Sequence, residues 1–343
     1  MALIMSKETH PSTFSGSLLR FAAFGFLVFS SWACGGANSK PAAEPVDPVL
    51  LEPAAEDEQA PSSPQVEEAI NAIKAGQFQK AESILAKAVV ETPDDPQAAF
   101  FYGVALEGVD KAQLAQDSYR RAIEISPQLL EAPSNLSNLL IQLEKYEEAL
   151  AVADKGLTIA PKYPPLLANR AAALDMLQKP EALAAYEALL IEAPDDAANR
   201  FNYAVVLFLN ERQDDARAQL AKLQTQDAAL LIDVAALYTK LKDLPGCVKT
   251  LDGAIASKKS ADLLSRRARC KMMQKDLKGA EADLREAIAT EPSASVGYFY
   301  LGIFLKKAGP SHQDEAIASL KKAVEVGQGD DFAKAAEKVL AKK

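Results

Sequence analysis

Small and apolar residues recur along this chain with two nested periods. Within each unit they fall at i, i+4 and i+7, which is one face of a helix. Between units the set returns about every 34 residues. The sets are Ala81, Leu85 and Ala88; Ala115, Tyr119 and Ala122; Ala149, Ala153 and Gly156; and Ala182, Tyr186 and Leu189. They continue as Ala216, Leu220 and Leu223; Cys247, Leu251 and Ala254; Ala280, Leu284 and Ala287; and Ala316, Leu320 and Ala323. Alanine is too small to fill a core alone, so these columns predict helices that approach each other closely.

A second helix precedes each set. It carries a small residue at Gly103, Ser137, Ala171, Ala204, Ala235, Ala268 and Gly302. Three residues later comes a larger one, at Leu106, Leu140, Leu174, Leu207, Tyr238, Lys271 and Leu305. Lys271 is the one break in that column. Stretches such as Lys74-Ala-Gly76-Gln and Lys307-Ala-Gly309-Pro310 read as the turns between the paired helices, and a proline at 93, 127 or 161 closes a unit. Each predicted helix has roughly 12–14 residues, a length of marginal stability in isolation, so stability must come from stacking on neighbours. Asp330 to Lys343 reads as a closing helix with Phe332, Ala336, Val339 and Leu340 as its apolar stripe.

The spacing and residue types resemble the tetratricopeptide repeat, in which a helix with L-G-x2-Y is followed by a helix with A-x3-F, then Ala and Pro, within 34 residues. Tyr102-Gly103-x2-Leu106, Ala115-x3-Tyr119, Ala122 and Pro127 follow that pattern closely. The resemblance covers residues 65–326 as eight units and implies an all-α superhelix, an α-solenoid closed by a capping helix over 327–343. It also implies a concave groove, lined by the first helices, that holds a peptide segment. Carrying the groove register over gives Phe100, Val104, Phe201, Val205, Phe208, Met272, Met273, Phe299 and Ile303 as apolar candidates. Exposed apolar surface of this kind marks interaction sites. The alternative is that these residues pack within the superhelix or against the closing helix. A second candidate set is Asn135, Asn138, Asn169 and Asn202, whose amides can both donate and accept along an extended backbone. Bonding within the repeats is the alternative for them. Ser134 and Ala168 stand where relatives that grip a C-terminal carboxylate carry Lys, which disfavours that mode.

Residues 1–33 are a different object. Lys7 and Arg20 precede an apolar run from Phe21 to Trp32, about half the length of a spanning helix. The segment reads as a secretory signal. Its join to Cys34-Gly35-Gly36 is similar to bacterial lipoprotein signals, which implies lipidation of Cys34. An ordinary cleaved signal and an uncleaved anchor are the alternatives. Residues 34–64 then hold the lipid site and a tether of prolines, alanines and acids with little to bury. The expected location is the bacterial envelope, at the outer rather than the inner membrane, with the repeats in the periplasm.

Charge narrows the partners. The chain carries a net −9, and loss of residues 1–33 makes it one unit more acidic. Scattered basic residues without interleaved aromatics disfavour nucleic acid. Only two histidines occur, His10 and His312, which argues against a metal site or a Ser-His-Asp arrangement. Asp94-Asp95 and Asp195-Asp196 follow prolines and read as helix caps. Cys247 lies in the first column, as a buried packing residue or as a disulfide partner of Cys270. The expected protein is a monomeric, non-enzymatic adaptor or assembly factor without cofactor, which binds a protein or peptide segment and reaches the membrane through its N-terminal lipid. The alternatives are a structural or regulatory envelope protein acting through its convex face, and a pilotin-like lipoprotein for secretin or pilus assembly.

Overall fold

The structure, a computed structural model, describes residues 63–341. Among them are seventeen α-helices and no strand. They are α1 (Pro64–Lys74), α2 (Phe78–Glu91), α3 (Pro96–Glu107), α4 (Ala112–Ile125), α5 (Glu131–Gln142) and α6 (Tyr146–Ile159). Next come α7 (Pro164–Met176), α8 (Ala182–Glu192), α9 (Ala197–Leu209), α10 (Gln213–Lys222), α11 (Ala228–Lys240) and α12 (Leu244–Ser257). The last are α13 (Ala261–Met273), α14 (Leu277–Thr290), α15 (Ser295–Ala308), α16 (Gln313–Gly327) and α17 (Asp331–Ala341). The described residues form two compact units, one ending at Val206 and one beginning at Leu207. The signal segment, Cys34 and the tether up to residue 62 lie outside the described residues, as do Lys342 and Lys343.

The alanine columns are the packing seam. Every column residue is buried except Leu223. That expectation fails because α10 stops at Lys222, and Leu223 turns into extended backbone at ψ 127°. The glycines in the seam are dictated by close approach. A Cβ on Gly103 would meet the Tyr119 ring at 2.5 Å, and one on Gly156 would meet Leu166 at 2.5 Å. Tyr119 therefore fills from the second helix the space that Gly103 leaves on the first.

Helix starts follow local chemistry. Asp95 accepts from the backbone N–H groups of Gln97 and Ala98 at 2.8 and 3.1 Å, and Asp196 accepts from that of Asn199 at 2.9 Å, as expected of caps. Ser63, Asp227, Asp243, Ser260 and Asp276 cap α1, α11, α12, α13 and α14 in the same way. Asp330 caps α17 and also accepts from the Ser295 hydroxyl at 2.6 Å, which ties the last helix to the start of α15.

Seven of the eight turns inside hairpins have one left-handed residue at the same place. These are Gly76, Asp110, Glu144, Gln178, Glu211, Lys242 and Lys275, with φ between 56° and 69°. The following N–H bonds back to the helix, as from Lys145 to the Leu140 carbonyl at 2.8 Å, and so closes the helix end. Only Gly76 among them is the residue that adopts this conformation freely. Glu144→Gly should therefore raise the urea midpoint, by up to about 1 kcal/mol once glycine's greater unfolded freedom is subtracted. A lower midpoint would show that the Glu144 side chain does something the backbone geometry does not reveal. The turn before α16 is longer because Pro310–His312 forms a 3-10 turn, which accounts for the widest step between units.

Candidate functional site

The first helices of neighbouring hairpins touch directly: α1 lies against α3, α5 against α7, and α13 against α15. Their free faces are where the predicted binding residues were placed. In the unit ending at Val206, much of the expected apolar surface is interior. Phe100 is 4 % exposed and its ring sits 5.0 Å from Phe101 and 5.9 Å from Tyr119. Phe201 is 1 % exposed, and Val205 is also buried. The register was misjudged at these three positions because the buried stripe of the first helix is wider than the small-residue column. From Phe201 to Leu207 every residue is buried, so periodicity cannot separate a packing face from a free one there. Val104 is half-buried against the core formed by α1, α2 and α3.

The asparagines divide in three. Asn169 is buried, and its amide donates to the Ser134 carbonyl and to the Ser137 hydroxyl, each at 2.8 Å. Its nitrogen is thus engaged between α5 and α7. Asn135 is half-exposed and donates to the Tyr119 hydroxyl at 3.5 Å. The Oδ1 of Asn138 and the Nδ2 of Asn202 are buried with no hydrogen-bond partner. An unanswered buried polar atom costs about 1–3 kcal/mol, so these two amides mark an incomplete polar layer.

Asn135 belongs to a short chain of polar groups. The Tyr119 hydroxyl donates to Glu107 at 2.9 Å. Burial raises the Glu107 carboxyl above the ordinary 4.5, and the Tyr119 bond opposes the shift. Burial and then the Glu107 charge push the Tyr119 phenol well above its usual value. The raised carboxyl means that the folded state holds this proton more tightly than the unfolded state. Its contribution is full below the unfolded value and is lost as pH rises through the folded one. Glu107→Gln, which keeps an acceptor for Tyr119, should be more stable than wild type at pH 7 and show a flatter stability profile from pH 4 upward. Urea midpoints across that range check it, and an unchanged slope would place the pH dependence elsewhere.

In the unit beginning at Leu207, Phe208 is half-buried and Met272 packs half-buried against the core. Met273 is 53 % exposed. Phe299 and Ile303 are covered by the final helix: the Phe299 ring lies 5.7 Å from Phe332, and Ile303 shares a cluster with Val339 and Leu340. For these two residues the closing-helix alternative holds. On the same side Arg269 stands 5.2 Å over the Tyr300 ring and donates to its hydroxyl at 3.3 Å.

Two features of this unit depend on contacts between helices. Cys247 and Cys270 form a disulfide between α12 and α13, with Cα atoms 6.3 Å apart, both residues buried, and the Thr239 hydroxyl donating to Cys247 Sγ at 3.3 Å. The second is a buried carboxylate, Asp283 of α14. Arg267 donates to both of its oxygens at 2.7 and 2.9 Å, Lys271 lies 2.9 Å away, and Arg267 reaches Asp252 at 2.7 Å. Lys271, the break in the leucine column, was the signal for this cluster. Among the described residues no group of three His, Cys, Asp or Glu side chains could hold a metal. No described helix is long and apolar enough to cross a membrane.

Paired helices stacked on an alanine seam define a repeat scaffold. Residues 66–228, just under half of the chain, match the tetratricopeptide repeat family, and the hairpins after this stretch are built in the same way. Such repeats generally mediate protein–protein interaction. Yeast Tom70 shares the fold, with a TM-score of 0.52 and 16 % identity over 85 % of this chain and 68 % of that one. A tetratricopeptide repeat protein from Parabacteroides merdae has a TM-score of 0.49 and 19 % identity over 70 % of this chain and 97 % of its own. Among curated proteins, human protein O-mannosyl-transferase TMTC3 is 26 % identical over 189 residues, 51 % of this chain. The chain spans only 21 % of that relative's length.

Proposed function

We propose that this protein is a lipid-anchored adaptor of the bacterial envelope that holds a segment of a partner protein on its first-helix face. The observation that carries the reading is the pair of unanswered amides, Asn138 and Asn202, on first helices of the same unit. Rotation of either side chain toward an extended partner backbone would supply the missing bond. Asn135 and the partly exposed Val104 provide accessible surface on first helices of that unit. Anchoring rests on Cys34 following the apolar run from Phe21 to Trp32. The Cys247–Cys270 disulfide is consistent with an oxidising compartment such as the periplasm.

Because Phe201 is buried, a charged residue there would unfold the helix and report nothing on binding. Photo-crosslinking residues at Asn135 and, in the other unit, at Met273 test the first-helix faces without disturbing the core. Partner adducts at these positions support the reading. A second reading, action through the opposite face, is favoured by Val90 and Ile191, which are 76 % and 74 % exposed on second helices. Adducts at Val90 and Ile191 alone would establish it in place of the first. Metabolic labelling with a palmitate analogue tests the anchor: wild type should be labelled and Cys34→Ser should not. Equal labelling removes the lipoprotein reading.

A further inference from the structure

Lysines that are scattered along the chain are gathered by the fold on one edge of the unit beginning at Leu207. Lys240 and Lys242 lie at the turn between α11 and α12, Lys275 and Lys278 at the turn between α13 and α14, and Lys306 and Lys307 at the turn between α15 and α16. Lys242 and Lys275 hold the same left-handed position, at φ 58° and 66°. The three turns share one edge because the helices that lead into them end side by side. Thr239 Oγ1 stands 3.8 Å from Cys270 Sγ, which sets the end of α11 beside the end of α13. Met272 packs on the cluster that holds Phe304 and Leu305, which sets the end of α13 beside the end of α15.

All six lysines are exposed, and none forms an ion pair among the described residues. Asp243 and Asp276 share these turns, and each is engaged at its helix start, accepting from the N–H of Gly246 at 3.0 Å and of Gly279 at 2.9 Å. Asp314 and Glu315 follow in the first turn of α16, and Glu315 is paired with Arg285 at 2.8 Å. The edge is thus positive in a chain whose net charge is −9. The equivalent turn between α5 and α6 carries Glu144 and Glu147 beside Lys145, so the hairpin itself does not require a basic turn. Among the lysines, Met273 and Leu277 are 53 % and 54 % exposed. Exposed apolar side chains flanked by cations suit the headgroup region of an anionic bilayer. Turn tips along an edge can meet a flat surface together, whereas a peptide is held in a groove or along a strand edge.

We propose that this lysine edge rests on an anionic phospholipid surface, with Met273 and Leu277 entering the headgroup layer. The contact is made by the repeat hairpins themselves and does not depend on an acyl chain at Cys34. It is tested in the full-length chain carrying Cys34→Ser, with a photo-crosslinking residue in place of Leu277. The chain is mixed with vesicles of phosphatidylcholine and phosphatidylglycerol, or of phosphatidylcholine alone. Any background from residues 1–33 is common to every variant. The expected result is a lipid adduct at position 277 on the mixed vesicles and little on the neutral ones. One lysine at such a surface is worth about fivefold in binding, so Lys242→Glu with Lys275→Glu and Lys278→Glu should lower the adduct yield at least about tenfold. The urea midpoint should stay in place, because all three positions are exposed. Equal yields on the two kinds of vesicle, or a yield unchanged in the triple variant, would overturn the proposal. Adducts at position 277 with an acidic protein and none with lipid, in membranes of the protein's own cells, would overturn it too, by assigning the edge to a protein partner. With serine at position 34 throughout, none of these outcomes bears on lipidation, which the palmitate label decides separately.

Discussion

Asp283→Ala is expected to destabilise the unit beginning at Leu207 by about 3–5 kcal/mol, the cost of removing one partner from a buried ion pair. Asp283 is 4 % exposed at its side chain, and it neutralises both Arg267 and Lys271, which are themselves mostly covered. Its removal leaves two cations in a poorly hydrated place, with only Arg267 retaining a second carboxylate, Asp252. Lys271→Leu should behave quite differently. It restores the apolar column of the other units and leaves the bidentate Arg267–Asp283 pair intact, so the change should be near neutral or mildly stabilising. Urea unfolding of the two variants side by side decides the matter. Similar, small effects would mean that water reaches Asp283 in solution.

Breaking the disulfide should cost about 3 kcal/mol, since Cys247 and Cys270 close a loop 23 residues apart in sequence. Cys247→Ser with Cys270→Ser removes the link, and the urea midpoint should fall accordingly. Reductant should lower the wild-type midpoint to a similar extent and leave the variant unchanged. Because both sulfurs are buried, access requires opening between α12 and α13, so reduction in native buffer should be slow. Thiol counting on protein isolated from its own cells connects this to location. Two unmodified thiols at these positions would contradict the oxidising compartment on which the envelope reading draws.

Much of the architecture is legible along the chain because small residues in an alanine seam have little freedom. Ala81, Ala115, Ala149 and their successors can be buried only if a second helix comes close, and the interval between them counts out the hairpins. The closing stripe of Phe332 and Ala336 was visible for the same reason, and in the structure it covers Phe299 and Ile303. The candidate binding face was far less legible. A first helix can pack on more than its own partner, as α1 does on α3 and α5 on α7, so Phe100, Phe201 and Val205 share the apolar character of a binding surface while lying inside. The amide of Asn169 likewise could have faced a ligand. Its bonds to Ser134 and Ser137 depend on how α5 and α7 approach, a relation that spans 35 and 32 positions of chain.

The sequence by itself determined the repeated helical hairpin, its caps at Asp95 and Asp196, and the Lys271 break, because each is set by residues within a turn or two of one another. Tertiary structure alone decided that Lys271 and Arg267 share Asp283, that Cys247 and Cys270 are bonded, and that six hairpin turns hold a left-handed residue other than glycine. It also decided which asparagines remain unanswered. These depend on the distance and angle between helices, and the seam that fixes those quantities is made of contacts between residues far apart in the chain.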